Sequence, residues 1–209
     1  MSVPPEPTSA LILHGYANHR PPGHWQRLLA DDLRSAGVDV RYPQLPDPDA
    51  PDWARWRGAV ADEVATLSGR CPVVIAHSLA AWVLLDLLGD ADLLGGTRIL
   101  LAAPAARSVV SGIAPIAAFD RGHDDATLAA VVTRHGGTEV VCSDDDPYWP
   151  GGAADWARHL GATVHPLTGQ GHLALDDGYG RWSSVGDWVH RGGSITARES
   201  RLGGGRPPG

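Results

Sequence analysis

Short unbroken apolar runs alternate along this chain with longer segments whose apolar residues recur every three or four positions. The first kind reads as buried strands and the second as amphipathic helices. Strands are predicted at "ALILH" (10–14), "VDVRYP" (38–43), "CPVVIAH" (71–77), "TRILLAAP" (97–104), "TEVVCS" (138–143) and "ATVHPL" (162–167). Helices are predicted over 23–37, 51–69, 78–90, 151–161 and 180–190, with Pro51 or Asp52 as a start signal and Gly37 and Gly69 as stops. The stretch 105–137 is the least regular and carries one helical pattern, "DDATLAAVVTRHG" (124–136). A substrate-facing flap would lie there or in "ANHRPPGHW" (17–25).

Strands alternating with helices predict βαβ units and parallel pairing with helices on both faces. The expected fold is a three-layer α/β/α sandwich with a mainly parallel six-stranded sheet in the order 2-1-3-4-5-6. That domain spans 9–190. The leader, 1–8, holds three prolines and reads as loose. The tail, 191–209, is rich in Gly, Arg and Pro and reads as disordered, because it offers little apolar surface to bury. Its "GGGRPPG" lacks the strand, helix and Lys-Ser/Thr ending of a phosphate-binding loop.

Composition narrows the function classes. A formal net charge of −7 with no lysine argues against a nucleic-acid partner, which needs a basic surface. No apolar run reaches the length of a membrane span, and "MSVPPEPTSA" lacks the basic and apolar regions of a secretory signal, so no membrane association and a cytoplasmic location are expected. Two cysteines, Cys71 and Cys142, sit in runs that look like buried strands and read as free thiols rather than a disulfide framework.

In a doubly wound sheet, sites form beyond the carboxyl ends of the strands. Ser78 follows the third predicted strand, the run "SDDD" the fifth, and His172 the sixth. This Ser, Asp, His order is the one in which α/β-hydrolases carry a catalytic triad. A serine hydroxyl needs a base to accept its proton, and a histidine titrating near pH 6.5 suits that role. The carboxylate that orients the histidine is Asp144, Asp145 or Asp146, with Asp146 favoured because Pro147 holds it extended. The plain alternative for "DDD" is a solvated acidic turn. Metal binding is not expected there or at His14, His19 and His24, whose spacing fits no metal motif.

Ser78 stands in "AHSLA" (76–80), where a nucleophile elbow carries glycine at both flanks. Taken alone, Ser78 reads equally as a helix N-cap. Alanine adds one methyl group at each flank and leaves the elbow feasible. The backbone N–H groups of Leu79 and Tyr16 are the candidate oxyanion donors. Gly15 permits a close turn beside them. His14, Gly15, His77, Tyr148 and Trp149 are candidates to line a substrate pocket, with His77 read mainly as structural.

Together "HGYANHRPPGHW" (14–25), "AHSLA" (76–80), "LLAAP" (100–104), "SDDDPY" (143–148) and "GHLALDDGYGRW" (171–182) resemble the small serine hydrolases related to retinoblastoma-binding protein 9. The resemblance runs in order from about Ala10 to His190. It implies a compact α/β-hydrolase without a cap domain, with Ser78 as nucleophile, His172 as base and Asp146 as acid. Ala80 departs from the family's usual glycine, which bears on rate more than on reaction type. The function expected is hydrolysis of an ester, thioester or amide through an acyl-enzyme, without a cofactor, on a small-molecule or acyl substrate. Acyl transfer to an acceptor other than water is a variant of the same chemistry. The alternative is a non-catalytic module on the same fold that works by contact with a protein partner.

Overall fold

The structure, a computed structural model, describes residues 5–90 and 93–198. Six strands form one sheet: β1 (Ser9–Leu13), β2 (Asp39–Arg41), β3 (Val73–His77), β4 (Arg98–Ala102), β5 (Thr138–Ser143) and β6 (Thr163–Leu167). Their order is β2-β1-β3-β4-β5-β6, and every neighbouring pair is parallel. Parallel neighbours require crossovers, and helices supply them. These are α1 (Trp25–Ser35), α2 (Trp53–Ala65), α3 (Ala80–Leu87), α4 (Arg107–Gly112), α5 (Asp125–His135), α6 (Ala154–His159) and α7 (Ser183–Arg191). Among the described residues no helix is long and apolar enough to cross a membrane.

The central strands are buried on both faces, which is why they read as unbroken apolar runs. Their side chains still divide with period two. Leu11, Leu13, Val74 and Ala76 join the core under α2, α3, α5 and α6. Ala10, Ile12, Val73 and Ile75 join the opposite core under α1 and α7. Each face therefore has its own apolar layer, as a three-layer sandwich requires.

Several boundaries differ from the sequence reading. The third helix begins at Ala80 rather than Ser78, because Ser78 has a φ of +56° and cannot continue a right-handed helix. The second ends at Ala65, with Gly69 in the turn beyond it at φ +91°. Cys71 lies in a turn before β3 and is half-buried, whereas Cys142 is buried in β5; both are free.

The stretch 105–137 holds more structure than its one predicted helix. It contains α4, a 3-10 turn over Ala114–Phe119 and α5. Phe119 anchors the turn, its ring 5.4 Å from that of Trp53 and 5.3 Å from that of Trp56. Packing, not local pattern, orders this segment.

The expected loose ends are pinned as far as the structure describes them. Pro7 is buried, and the Thr8 amide donates to the Arg70 carbonyl at 3.1 Å. Beyond α7, Ile195 is buried and its amide donates to His165 Nδ1 at 3.1 Å. The Trp182 indole donates to the Thr196 carbonyl at 2.7 Å. The segment expected to be loose from 191 is therefore anchored at Ile195 and Thr196, though most of its residues to Arg198 are exposed, and 1–4 and 199–209 lie outside the described residues.

Candidate active site

The strand order reverses direction at β1, so the crevice between the carboxyl ends of β1 and β3 is a topological switch point. Gly15 follows β1 and Ser78 follows β3, and they meet across this crevice. A Cβ added to Gly15 would lie 2.7 Å from Ser78 Cβ and 3.2 Å from its Oγ. Gly15 is thus required by close approach rather than by an unusual turn.

Ser78 occupies the left-handed region, φ +56°. An L-residue there costs about 1–3 kcal/mol and marks a backbone over-determined by its surroundings. Its amide donates to the Ala102 carbonyl at 2.9 Å, and its carbonyl accepts from Ala81 at 3.1 Å. Ala76 and Ala80, where elbows carry glycine, are both fully buried. The Ser78 hydroxyl does not cap α3: it meets His172 Nε2 at 2.8 Å.

His172 Nδ1 lies 2.8 Å from Asp146 Oδ2 and 3.0 Å from Oδ1. A carboxylate only accepts, so Nδ1 carries the proton and Nε2 turns its lone pair to the Ser78 hydroxyl. Asp146 and His172 are 3% and 9% exposed, so little water competes for these bonds. Asp146 Oδ1 also accepts from the Tyr148 amide at 2.8 Å. The chain carboxylate–imidazole–hydroxyl can draw a proton from the serine and hold the resulting imidazolium.

The other two aspartates position the histidine loop. Asp145 Oδ1 accepts from the Gly171 amide at 2.8 Å and from the Ser143 hydroxyl at 2.6 Å. The Ser143 hydroxyl, helped by the Gly171 amide, holds the Asp145 carboxyl below the usual carboxylate range. Asp144 Oδ1 accepts from the Gly169 amide at 2.9 Å. Asp177, which sequence reasoning missed, does most for the loop: its Oδ2 accepts from the amides of His172 and Ala174, each at 3.0 Å. Gly171, at φ +60°, makes room for it, because a Cβ there would lie 2.3 Å from Asp177 Oδ1.

Behind the base, His77 Nε2 donates to the His172 carbonyl at 2.9 Å. Burial holds His77 neutral, well below its ordinary range, with His172 and His24 adding repulsion. The Trp25 indole donates to the Leu173 carbonyl at 2.9 Å and ties α1 to the same loop. His14 Nε2 accepts from the Leu45 amide at 2.8 Å, and its Nδ1 donates to the Gly15 carbonyl at 2.8 Å. Burial lowers the pKa of both His14 and His24 to about 4.

A cleft of about 670 Å³ opens over Ser78. Gly15, His77 and Tyr148 line it, as do Tyr16 and Leu79, whose amides have no acceptor among the described residues. Two expected lining residues do not. His14 is fully buried against Trp56, its ring 5.7 Å away edge-on, and Trp149 packs on Trp156 at 4.6 Å. Both stretches expected to hold a substrate-facing flap contribute to the lining, Ala105, Val109, Ile113 and Ile116 from the first and Ala17 to His19 from the second, although the sequence reading singled out none of these residues as lining, nor Leu175 on the histidine loop. Among the described residues no group of three or more His, Cys, Asp or Glu side chains could hold a metal ion.

A family model described as serine hydrolase matches residues 10–191. Among solved structures, the ydeN gene product from B. subtilis superposes with a TM-score of 0.74 at 22% identity, covering 87% of this chain and 96% of that one. Est1E from Butyrivibrio proteoclasticus gives 0.61 at 14% identity, over 89% and 86% of the two chains. The esterase domain of a Rhodothermus marinus protein gives 0.62 at 14%, over 90% of each. At such identities the likeness to these structures is one of fold. Comparison with curated proteins finds no match.

Proposed function

The chain belongs to the serine hydrolase family and has an α/β-hydrolase fold without a cap domain among its described residues, and from that premise we propose that it cleaves carboxylic esters through an acyl-enzyme on Ser78. One observation carries the reading. His172 reaches Ser78 Oγ with Nε2 at 2.8 Å while its Nδ1 sits 2.8 Å from Asp146 Oδ2.

In this reading Ser78 Oγ attacks the ester carbonyl carbon as His172 Nε2 takes its proton. Asp146 keeps the imidazole in the required tautomer and stabilises the imidazolium. The carbonyl oxygen becomes an oxyanion and accepts from the Tyr16 and Leu79 amides. Collapse breaks the bond to the leaving oxygen, which receives the proton from His172. Water, deprotonated by His172, then attacks the acyl carbon; the bond to Ser78 Oγ breaks, Oγ takes the proton back from His172, and the acid leaves. Thioesters and amides fit the same steps, and the reading calls for no cofactor. One structural neighbour is named an esterase domain, which agrees with the ester choice. The motifs at residues 143–148 and 171–182 support a further reading, that within the family the chain is akin to the hydrolases related to retinoblastoma-binding protein 9. The unbroken bonding from Asp146 to Ser78 is the reason to prefer catalysis to a purely protein-binding role.

The test is a fluorophosphonate probe followed by peptide mass mapping. An adduct on Ser78, lost in Ser78→Ala and strongly slowed in His172→Ala, is the expected result. A folded wild-type protein that takes no adduct contradicts the reading.

A further inference from the structure

The cleft over Ser78 runs from one face of the sheet to the other. On one side Tyr16, Ile113 and Ile116 belong to the core beneath α2 and α3. On the other, the histidine loop is rooted by Leu173 in the core beneath α1 and α7. Ser78 sits on the ridge between them. A carbonyl held at Ser78 must therefore send its two arms in different directions.

The chemistry says which arm goes where. His172 hands its proton to the leaving group, so the leaving group lies beside the imidazole. Among the described residues, large hydrophobic side chains are exposed at Tyr148, 43%, and Leu175, 40%. Both line this cleft with His172. The Tyr148 ring is 4.5 Å from the imidazole. Leu175, three residues along the same loop, extends towards Gly23, whose added Cβ would lie 3.6 Å from Leu175 Cδ1. Single exposed apolar residues need no explanation, but two at one cleft mouth mark a ligand contact.

Asp176 and Asp177 follow Leu175 in the lining, a side unsuited to an anion, with Asp177 held by the His172 and Ala174 amides; the 109–116 wall is apolar. Val109, Ile113 and Ile116 present no charge to the cleft. Arg107, the cation of α4, faces Asp120 at 3.6 Å and Asp125 at 3.8 Å instead. We propose that the substrate is an uncharged ester with two apolar arms: an alkyl acyl chain along Val109, Ile113 and Ile116, and an aromatic or branched leaving group between Tyr148 and Leu175. This rests on the acyl-enzyme reading above and adds the substrate class.

The test crosses two ester series by pH-stat. In the first, benzyl esters run from acetyl to hexanoyl. In the second, butanoyl is fixed and the alcohol is methyl, benzyl or 4-carboxybenzyl. The expected kcat/KM rises about fourfold per added methylene until the wall is filled. Benzyl exceeds methyl by about tenfold or more, and the carboxylate removes that gain. Val109→Trp flattens the acyl series and keeps the benzyl preference, with Val109→Phe in its place should the larger residue prevent folding. Tyr148→Ala with Leu175→Ser removes the benzyl preference and keeps the acyl slope. Both variants still take fluorophosphonate on Ser78. Series that are flat in the wild type, or unmoved by these variants while the probe still reacts, overturn the two-arm assignment alone. A wild type that takes no probe and turns over no ester overturns the acyl-enzyme reading with it.

Discussion

Gly15 and Ser78 approach so closely that a methyl group on the glycine would stand 2.7 Å from the serine Cβ. This contact fixes the nucleophile against the loop that carries the Tyr16 amide. Gly15→Ala must push the two apart. The expected result is a loss of about 1–3 kcal/mol in urea unfolding and about a hundredfold in kcat/KM. A Gly15→Ala protein with wild-type turnover contradicts the packing.

The strained serine gives a second, independent test. Ser78 stands at φ +56°, where glycine is at ease and alanine is not. Neither Ser78→Ala nor Ser78→Gly should turn over esters, yet their stabilities should differ. Ser78→Gly should exceed Ser78→Ala by about 0.5–1 kcal/mol, relief of strain outweighing the greater freedom of unfolded glycine. Equal stabilities, or the reverse order, speak against a strained elbow.

Two carboxylates act on His172 from different sides, and their losses should differ in kind. Asp146→Asn removes the acceptor that sets the tautomer, with an expected fall in kcat of about 10⁴-fold. Asp177 is a positioning residue that touches only the backbone of the loop. Asp177→Ala should lower kcat about 10- to 100-fold. Asp177→Asn should restore most of it, because a single amide oxygen can accept both bonds. An Asn variant no better than Ala contradicts this role.

Much of this was legible in the chain. The order of strands and helices, and the placement of Ser78, Asp146 and His172 after β3, β5 and β6, follow from apolar runs and from what ends them. What stayed hidden depends on packing. The 3-10 turn at Ala114–Phe119 forms because Phe119 has Trp53 and Trp56 to sit against, and no local pattern announces that. Asp177 and Leu175 lie in "LALDDGYG", which carries no strand or helix pattern, so their contacts arise only when the loop folds back on itself. His14 and Trp149 sit beside the site in sequence, but each faces the core, where His14 satisfies the Leu45 amide and Trp149 stacks on Trp156.

Buried histidines make the fold sensitive to acid. His14 and His24 have folded pKa values of about 4, set by desolvation, against an ordinary 6.5. Between these values the unfolded chain binds more protons than the folded one, so stability falls as pH falls through this window. The two together should cost roughly 3 kcal/mol between pH 6.5 and 5. His24→Asn keeps a side-chain oxygen to cap α1 and removes one titrating group. Its urea midpoint should therefore drop less over the same interval. A change identical to wild type contradicts a neutral, buried His24.

The most direct test of the central claim is the intact mass of the enzyme quenched during turnover of a slow benzyl ester. The account predicts a transient species heavier by one acyl group, mapped to Ser78, that decays as substrate is exhausted. It should be absent in Ser78→Ala. Turnover with no acylated species at any quench time, or with the acyl group on another residue, would contradict it.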